Sequence, residues 1–262
     1  MRGPKKERVN VLGVEVDPVI VTELHERILA AVRKGGRALI LHVNAYALNL
    51  CYRDSDLRSF FNAASVVFCD GAGVMLAARI LGRGLPERIT YADWTWQFAS
   101  FAERESLSLF FLGARPGVAE KAATRLQQRY PNLKIVGVQH GYFDRTIGAP
   151  ENEAVLSKIN STRPDMLLLG FGMPLQERWL MQNWDCLDVR VALTGGAAFD
   201  YISGELRRGP HFLTDNGFEW LARLFIEPKR LWRRYVIGNP LFLLRVLKQR
   251  LMRDKRQGRR RM

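Results

Sequence analysis

Long apolar runs are what this 262-residue chain most plainly lacks. Its uncharged apolar stretches reach about ten residues, half of the roughly 20 that a membrane-spanning helix needs. The charged start, Met1 to Arg8, runs straight into Val9-Asn10-Val11-Leu12, with no apolar signal-peptide core. Cysteine is scarce too. Cys51, Cys69 and Cys186 are odd in number and too far apart for a zinc knuckle. All three lie in apolar stretches, so they read as buried free thiols in a reducing cytosol. Nothing is repeated, and only the last few residues are low in complexity. Acidic residues are thin at one end alone. Residues 207–262 hold 16 of the 40 Lys and Arg against 4 of the 26 Asp and Glu, so they carry +12 of the net charge of +14. That asymmetry points to a polyanionic partner, nucleic acid or an anionic membrane.

What is present is ample core material, 47% hydrophobic residues, in an ordered alternation of strand and helix. Short apolar strands are expected at Ala38 to Val43, Val66 to Cys69, Leu107 to Leu112, Ile135 to Val138, Asp165 to Gly170 and Val189 to Leu193, with helices between them. Val9 to Val16 reads as a strand or hairpin turning at Gly13. The strands are apolar throughout rather than alternating, which predicts an α/β fold with a Rossmann-like parallel sheet flanked by helices. Ligands in such folds bind beyond the carboxyl ends of the strands. The sequence puts Asn44, Asp70-Gly71, Gly113, Gly172 to Glu177 and Gly196 there.

The Ser65 to Val74 stretch is central: a strand, then Asp70, then glycines that let a ligand approach the backbone. Asp70 is either a group that does chemistry at the sheet edge or the cap of the next helix. Asp54-Ser55-Asp56 has the spacing of carboxylates that hold a metal–nucleotide pair, but it precedes an apolar helix and reads better as an N-cap with acids in the first turn. The Gly113 to Gly117 turn would suit a diphosphate at a helix N-terminus, yet it lacks the Gly-x-Gly-x-x-Gly spacing of a dinucleotide site.

The chain divides at residues 206/207 into an α/β core and a basic appendage. Pro240 is expected to start a last helix, Leu241 to Arg253, with Leu241, Leu244, Leu247 and Leu251 on one stripe among Arg245, Lys248 and Arg253. That helix is either interfacial, with Trp232 and Tyr235 as anchors, or docked on the core with a solvated basic face. Gln257 to Met262 reads as a disordered basic end.

The motifs then become specific. Asn44-Ala45, Asp70-Gly71-Ala72-Gly73-Val74, Glu87-Arg88-Ile89-Thr90 with Asp93, Gly141-Tyr142-Phe143, Gly170 to Glu177, Gly195 to Asp200, Arg208-Gly209-Pro210 and Glu219 to Leu224 occur in one order. In them the chain resembles the WecG/TagA/CpsF glycosyltransferases, glycosyltransferase family 26, from about Val9 to Tyr235. The resemblance implies an inverting transferase that needs no metal or other cofactor. It would move a sugar from a UDP-sugar donor to a polyprenyl-diphosphate-linked acceptor at the cytoplasmic face of the plasma membrane, held there peripherally at an anionic surface. By position Asp70 matches the general base, and Asn44 and Gln176 match groups of the donor pocket. His42, Gly71, Arg88, Asp93, Gly113, Gly172, Glu177 and Gly196 fall in the same motifs as substrate-binding candidates. Arg208, Arg223 and Arg230 are candidates for the diphosphate. His42 stands where the family usually has Thr and Tyr91 where it usually has Gly, which leaves the donor sugar open. His42 is read as a hydrogen-bonding stand-in for Thr, with an acid/base role as the alternative. The rivals are a basic-tailed nucleic-acid-binding protein, for which no aromatic stacking platform is evident, a Rossmann oxidoreductase, and a silent scaffold. The reading adopted has no nucleic-acid partner and leaves open whether the chain forms a homo-oligomer.

Overall fold

The computed structural model describes residues 7–215 and 217–258. A hairpin opens it. β1 (Val9–Val11) and β2 (Val14–Val16) pair antiparallel across Leu12 and Gly13, which take positive φ of 52° and 90° as a tight two-residue hairpin turn requires. Buried Asp17 ties the hairpin to the sheet. Its Oδ2 accepts from Val67 N at 2.9 Å, and Arg8 and Arg27 pair with the carboxylate at 3.2 and 2.9 Å.

The core continues as α1 (Val21–Arg33), β3 (Ala38–Val43), α2 (Ala45–Arg53), α3 (Ser55–Ala63), β4 (Val66–Cys69), α4 (Ala72–Ile80) and α5 (Tyr91–Arg104). It goes on through β5 (Ser108–Gly113), α6 (Val118–Arg129), β6 (Lys134–Gln139), α7 (Pro150–Thr162), β7 (Met166–Gly170), α8 (Leu175–Asn183), β8 (Val191–Thr194) and α9 (Ala198–Ser203). β3 to β8 form one parallel sheet in the order β4-β3-β8-β7-β5-β6. Every residue of β3, β4, β7 and β8 is buried, because helices cover both faces. The two-residue period of a strand splits β3 between two cores. Leu39, Leu41 and Val43 face the hairpin, α2, α3, α4, α7 and α8, whereas Ala38 and Ile40 face α1, α5, α6 and α9. His42 falls on the second face, its ring 6.0 Å from that of Phe68.

Asp54 caps α3 as expected, its Oδ1 accepting from Asp56 N at 3.1 Å and Leu57 N at 2.9 Å. The cysteines differ from expectation in one case. Cys51 and Cys69 are buried free thiols, but Cys186 is exposed. It ends a short 3-10 turn (Trp184–Cys186) whose inward position is taken by Trp184, stacked under the Arg37 guanidinium at 4.1 Å.

Beyond the sheet come α10 (His211–Asp215), α11 (Glu219–Ile226), α12 (Pro228–Trp232) and α13 (Gly238–Gly258), with a π-helical turn (Arg233–Ile237) joining the last two. Pro240 therefore does not start the last helix. Its ring would press on the carbonyl of Val236, and Val236 lies in the π turn, where the wider coil relieves the clash. The end expected to be disordered from Gln257 is helical to Gly258, and residues 259–262 lie outside the described ones.

α13 has two working faces. Phe242 and Val246 are buried in the core, Arg245 Nη1 donates to Asn49 Oδ1 at 2.7 Å, Gln249 Nε2 donates to Asn10 O at 3.1 Å, and Arg253 Nη1 donates to Leu81 O at 3.2 Å. Leu244, Leu247, Leu251 and Met252 face solvent with Lys248. The helix docks and also leaves an apolar stripe uncovered; of the two expected interface anchors Trp232 is exposed, but Tyr235 is buried against the cavity, its ring 6.0 Å from that of Trp220. Arg245 and Arg253, expected on a solvated face, bind the core instead. Among the described residues no helix is long and apolar enough to cross a membrane.

Candidate active site

The carboxyl ends of the strands open into a cavity of about 1330 Å³. Asn44 follows β3, Asp70 and Gly71 follow β4, Ala114 follows β5, Gly172 lies beyond β7, and Gly195 and Gly196 lie beyond β8. The opposite wall is the C-terminal segment: Glu219, Arg223, Glu227, Arg230, Arg234, Tyr235 and Phe242. Glycines make the floor. Gly113, expected at the site, lies behind that lining: the strand ends approach so closely there that a Cβ on it, at φ +148°, would stand 2.5 Å from the Gly170 backbone.

Asp70 extends the ladder, its N–H donating to Val43 O at 2.9 Å, and it does not cap α4. Gly71 holds the N-cap position, with no side-chain cap bond. The carboxyl group of Asp70 is therefore left to the cavity. Asn44 is the N-cap of α2, and its Oδ1 accepts from Tyr46 N and Ala47 N, both at 3.1 Å. Capping commits the oxygen, so the amide nitrogen is the end that hydrogen-bonds to Asp70. Burial pushes the Asp70 carboxyl up to about 6, while the guanidiniums of Arg234, Arg223 and Arg88 and the Asn44 amide act in the opposite direction. The result is a carboxylate poised to take up a proton near neutral pH.

The arginines are held, not loose. Arg223 pairs with Glu227 at 3.4 Å and lies 5.8 Å over the Tyr201 ring. Arg230 Nε donates to Glu227 Oε1 at 2.8 Å. Arg234 stacks 4.6 Å over Tyr46. Arg88 Nη2 donates to Thr214 O at 2.9 Å and so ties the core to α10. The Nε groups of Arg223 and Arg234 are buried and have no partner among the described residues. Two buried cationic donors left open beside a carboxylate amount to a site for an anion with several oxygens.

Asp93, Arg208, Gln176 and Glu177 lie around the cavity rather than in it. Asp93 accepts from Thr90 Oγ1 at 2.9 Å and forms a two-pronged pair with Arg208, one contact being 2.7 Å. That pair belongs to a smaller adjoining pocket of about 290 Å³. Gln176 and Glu177 are fully buried behind the wall. Gln176 Nε2 donates to Glu177 Oε1 at 2.8 Å, and Gln176 Oε1 accepts from Gly196 N at 3.0 Å. Burial drives Glu177 to about 7, and its Oε2 has no partner among the described residues. His42 lines the cavity. Its Nδ1 lies 2.7 Å from Thr194 O, which can only accept, so Nδ1 carries the proton and Nε2 is an open acceptor. Burial lowers His42 to about 4, so the ring is neutral.

Two side chains here went unassigned in the sequence. Arg234 was absorbed into a basic stretch, although Arg223, Glu227, Arg230 and Arg234 recur at i, i+4, i+7 and i+11, one helical face. Tyr91 carries no sequence signal beyond standing where the family usually has Gly. It opens α5, its ring is 5.1 Å from that of His42, and its buried hydroxyl has no partner among the described residues.

A parallel sheet whose strand ends carry one carboxylate of raised pKa, facing fixed guanidiniums across a large cavity, is the layout of an α/β enzyme that binds its ligand beyond the carboxyl ends of the strands. The chain belongs to the glycosyl transferase WecG/TagA/CpsF family, whose model matches residues 9–256. It is similar to the N-acetylglucosaminyldiphosphoundecaprenol N-acetyl-beta-D-mannosaminyltransferases of Staphylococcus aureus strains MRSA252 and NCTC 8325, at 29% identity over 243 residues, 92% of either chain. It is a glycosyltransferase.

Proposed function

We propose that the chain moves a sugar from a UDP-sugar of the N-acetylmannosamine, N-acetylmannosaminuronate or glucose type onto a saccharide carried by polyprenyl diphosphate, in the synthesis of a cell-envelope or extracellular polysaccharide. The reaction inverts the anomeric centre and uses no metal ion. The carrying observation is Asp70, a carboxyl group in the cavity with a proton affinity near neutrality and three guanidiniums acting on it. As general base it takes the proton of the acceptor hydroxyl while that oxygen attacks the anomeric carbon from the side opposite the diphosphate. The leaving UDP gains negative charge, which Arg223, Arg230 and Arg234 are placed to meet. Asn44 orients the base. Gln176 and Glu177 hold the Gly196 turn, and the pair Asp93–Arg208 pins the segment after α9 to the start of α5. The names of the staphylococcal relatives support an acceptor in which N-acetylglucosamine is linked to undecaprenyl diphosphate.

In this reading residues 1–206 are the catalytic core, and 207–262 complete the cavity and meet the membrane at its cytoplasmic face. The outward stripe of α13, with exposed Phe225, Trp232, Val236 and Ile237 and the cations Lys229, Arg233 and Lys248, supports that surface. The test is Asp70→Asn with a panel of UDP-sugars and a short-chain lipid acceptor. The variant is expected to keep its melting temperature and to lose turnover by at least about a hundredfold, the low end for a general base. Full turnover would refute the assignment.

A further inference from the structure

Tyr91 and His42 present one hydrogen-bond donor and one acceptor, side by side, in the buried wall of the cavity. The Tyr91 hydroxyl is buried with no partner among the described residues, in a side chain only 6% exposed. His42, 3% exposed, spends Nδ1–H on Thr194 O and leaves Nε2 as a lone pair. The rings meet edge to face at 5.1 Å, and both line the cavity that holds Asp70. A buried hydroxyl with nothing to bind is costly, and such a group is expected to find its partner in a ligand. Burial and the nearby Asp70 keep the hydroxyl protonated, and burial keeps the imidazole neutral.

We propose that Tyr91 and His42 form the specificity element for the donor sugar, reading a neutral substituent that both accepts and donates a hydrogen bond. This rests on the UDP-sugar reading above. A hydroxyl or an acetamido group fits: its oxygen accepts from Tyr91 Oη, and its O–H or N–H donates to His42 Nε2. A carboxylate does not fit, because it offers no proton to Nε2 and would sit against that lone pair in a dry pocket. On the proposed reading the acceptor brings one hydroxyl to Asp70 while its lipid stays in the bilayer, so the buried Tyr91 and His42 groups that this hydroxyl does not use are left to the donor sugar. Of the three donor types, the pair therefore selects a neutral sugar over a uronic acid.

Calorimetric titration of the full chain with UDP and then with intact UDP-sugars tests this, with Tyr91→Phe as the variant. The wild-type protein is expected to bind UDP-N-acetylmannosamine or UDP-glucose more tightly than UDP, and UDP-N-acetylmannosaminuronate no more tightly than UDP. Tyr91→Phe is expected to bind UDP unchanged and to lose about tenfold for the neutral donor. Its melting temperature should equal or exceed that of the wild type, since an unpartnered oxygen has been removed; a hydroxyl with a structural role would lower it. Unchanged affinity for the neutral donor, an equal loss for UDP and the donor, or preference for the uronic acid would each overturn the pair's role. Failure of the wild-type protein to bind UDP at all would overturn the UDP-sugar reading itself, and the pair's role with it.

Discussion

Replacing Arg234 by Gln should move the acid limb of the pH–rate profile to higher pH. With Asp70 as the proposed base, the limb belongs to Asp70. Burial sets that carboxyl at about 6, and of the groups that oppose burial Arg234 is the largest, ahead of Arg223, Arg88 and Asn44. The sign follows directly. A positive neighbour favours the ionised carboxylate, so its removal lets burial lift the group further. An opposite charge at close range is worth about one unit or more, which is about 1.4 kcal/mol. With Asp70 at about 6, half the free enzyme carries the base at pH 6; at about 7, roughly a tenth does. At pH 8 both proteins are almost fully ionised. Arg234→Gln will also lose a diphosphate contact, and that loss is the same at every pH. The diagnostic is therefore the ratio of kcat/KM, variant to wild type, expected to be about fivefold lower at pH 6 than at pH 8. Initial transfer rates to a short-chain lipid-linked acceptor, at donor concentrations below KM from pH 5 to 9, would measure it. Profiles of identical shape, or a limb displaced toward acid, would refute the assignment of Asp70 as base with Arg234 as its charge partner.

Other consequences can be checked more briefly. Glu177 has a folded pKa of about 7 against 4.5 in the unfolded chain, so its stabilising contribution is full below 4.5 and is lost as pH rises through 7. Glu177→Gln should accordingly raise the thermal midpoint at pH 8, by up to about 3 kcal/mol of stability, and change little at pH 4. Phe242→Ala should cost about 3 kcal/mol in denaturant unfolding, because that ring is buried in the core beneath α13. Leu247→Ser with Leu251→Ser should leave unfolding within about 0.5 kcal/mol and reduce sedimentation with anionic vesicles, since both side chains are exposed. Gly113→Ala should lower soluble yield and thermal midpoint sharply, as its methyl group would meet the Gly170 backbone.

Much of this was legible in the chain because parallel sheets leave a plain signature. Apolar runs at β3, β4, β7 and β8, each ending in Gly, Asn, Asp or Thr, were enough to place the cavity edge. Asp70 was ambiguous by local rules, since an acid at a strand-to-helix turn usually caps; only the backbone settles that Gly71 takes the cap. Arg234 was hidden by its setting. In Arg233-Arg234-Tyr235 adjacent residues look alike, yet a helical turn sends Arg233 outward and Arg234 into the cavity. The π turn is hidden because Gly238-Asn239-Pro240 reads as a break before a new helix, whereas the backbone carries the coil through it. Tyr91 and His42 are far apart in sequence and meet only because β3 and the start of α5 share one face of the sheet.

The π turn makes α12 and α13 a single rod bent once, with Arg234 at the bend and Phe242 less than three turns on, where it touches both the hydrophobic core and the cavity. On the proposed function, the foot that would rest on lipid and the wall that would face the nucleotide are thus the same piece of backbone. Shortening the chain before Gly238 to make it easier to handle in water would also strip Phe242 from the reaction chamber and unmoor the arginine beside the base. A truncated enzyme that proved sluggish would be reporting a breached vessel, not merely a lost address.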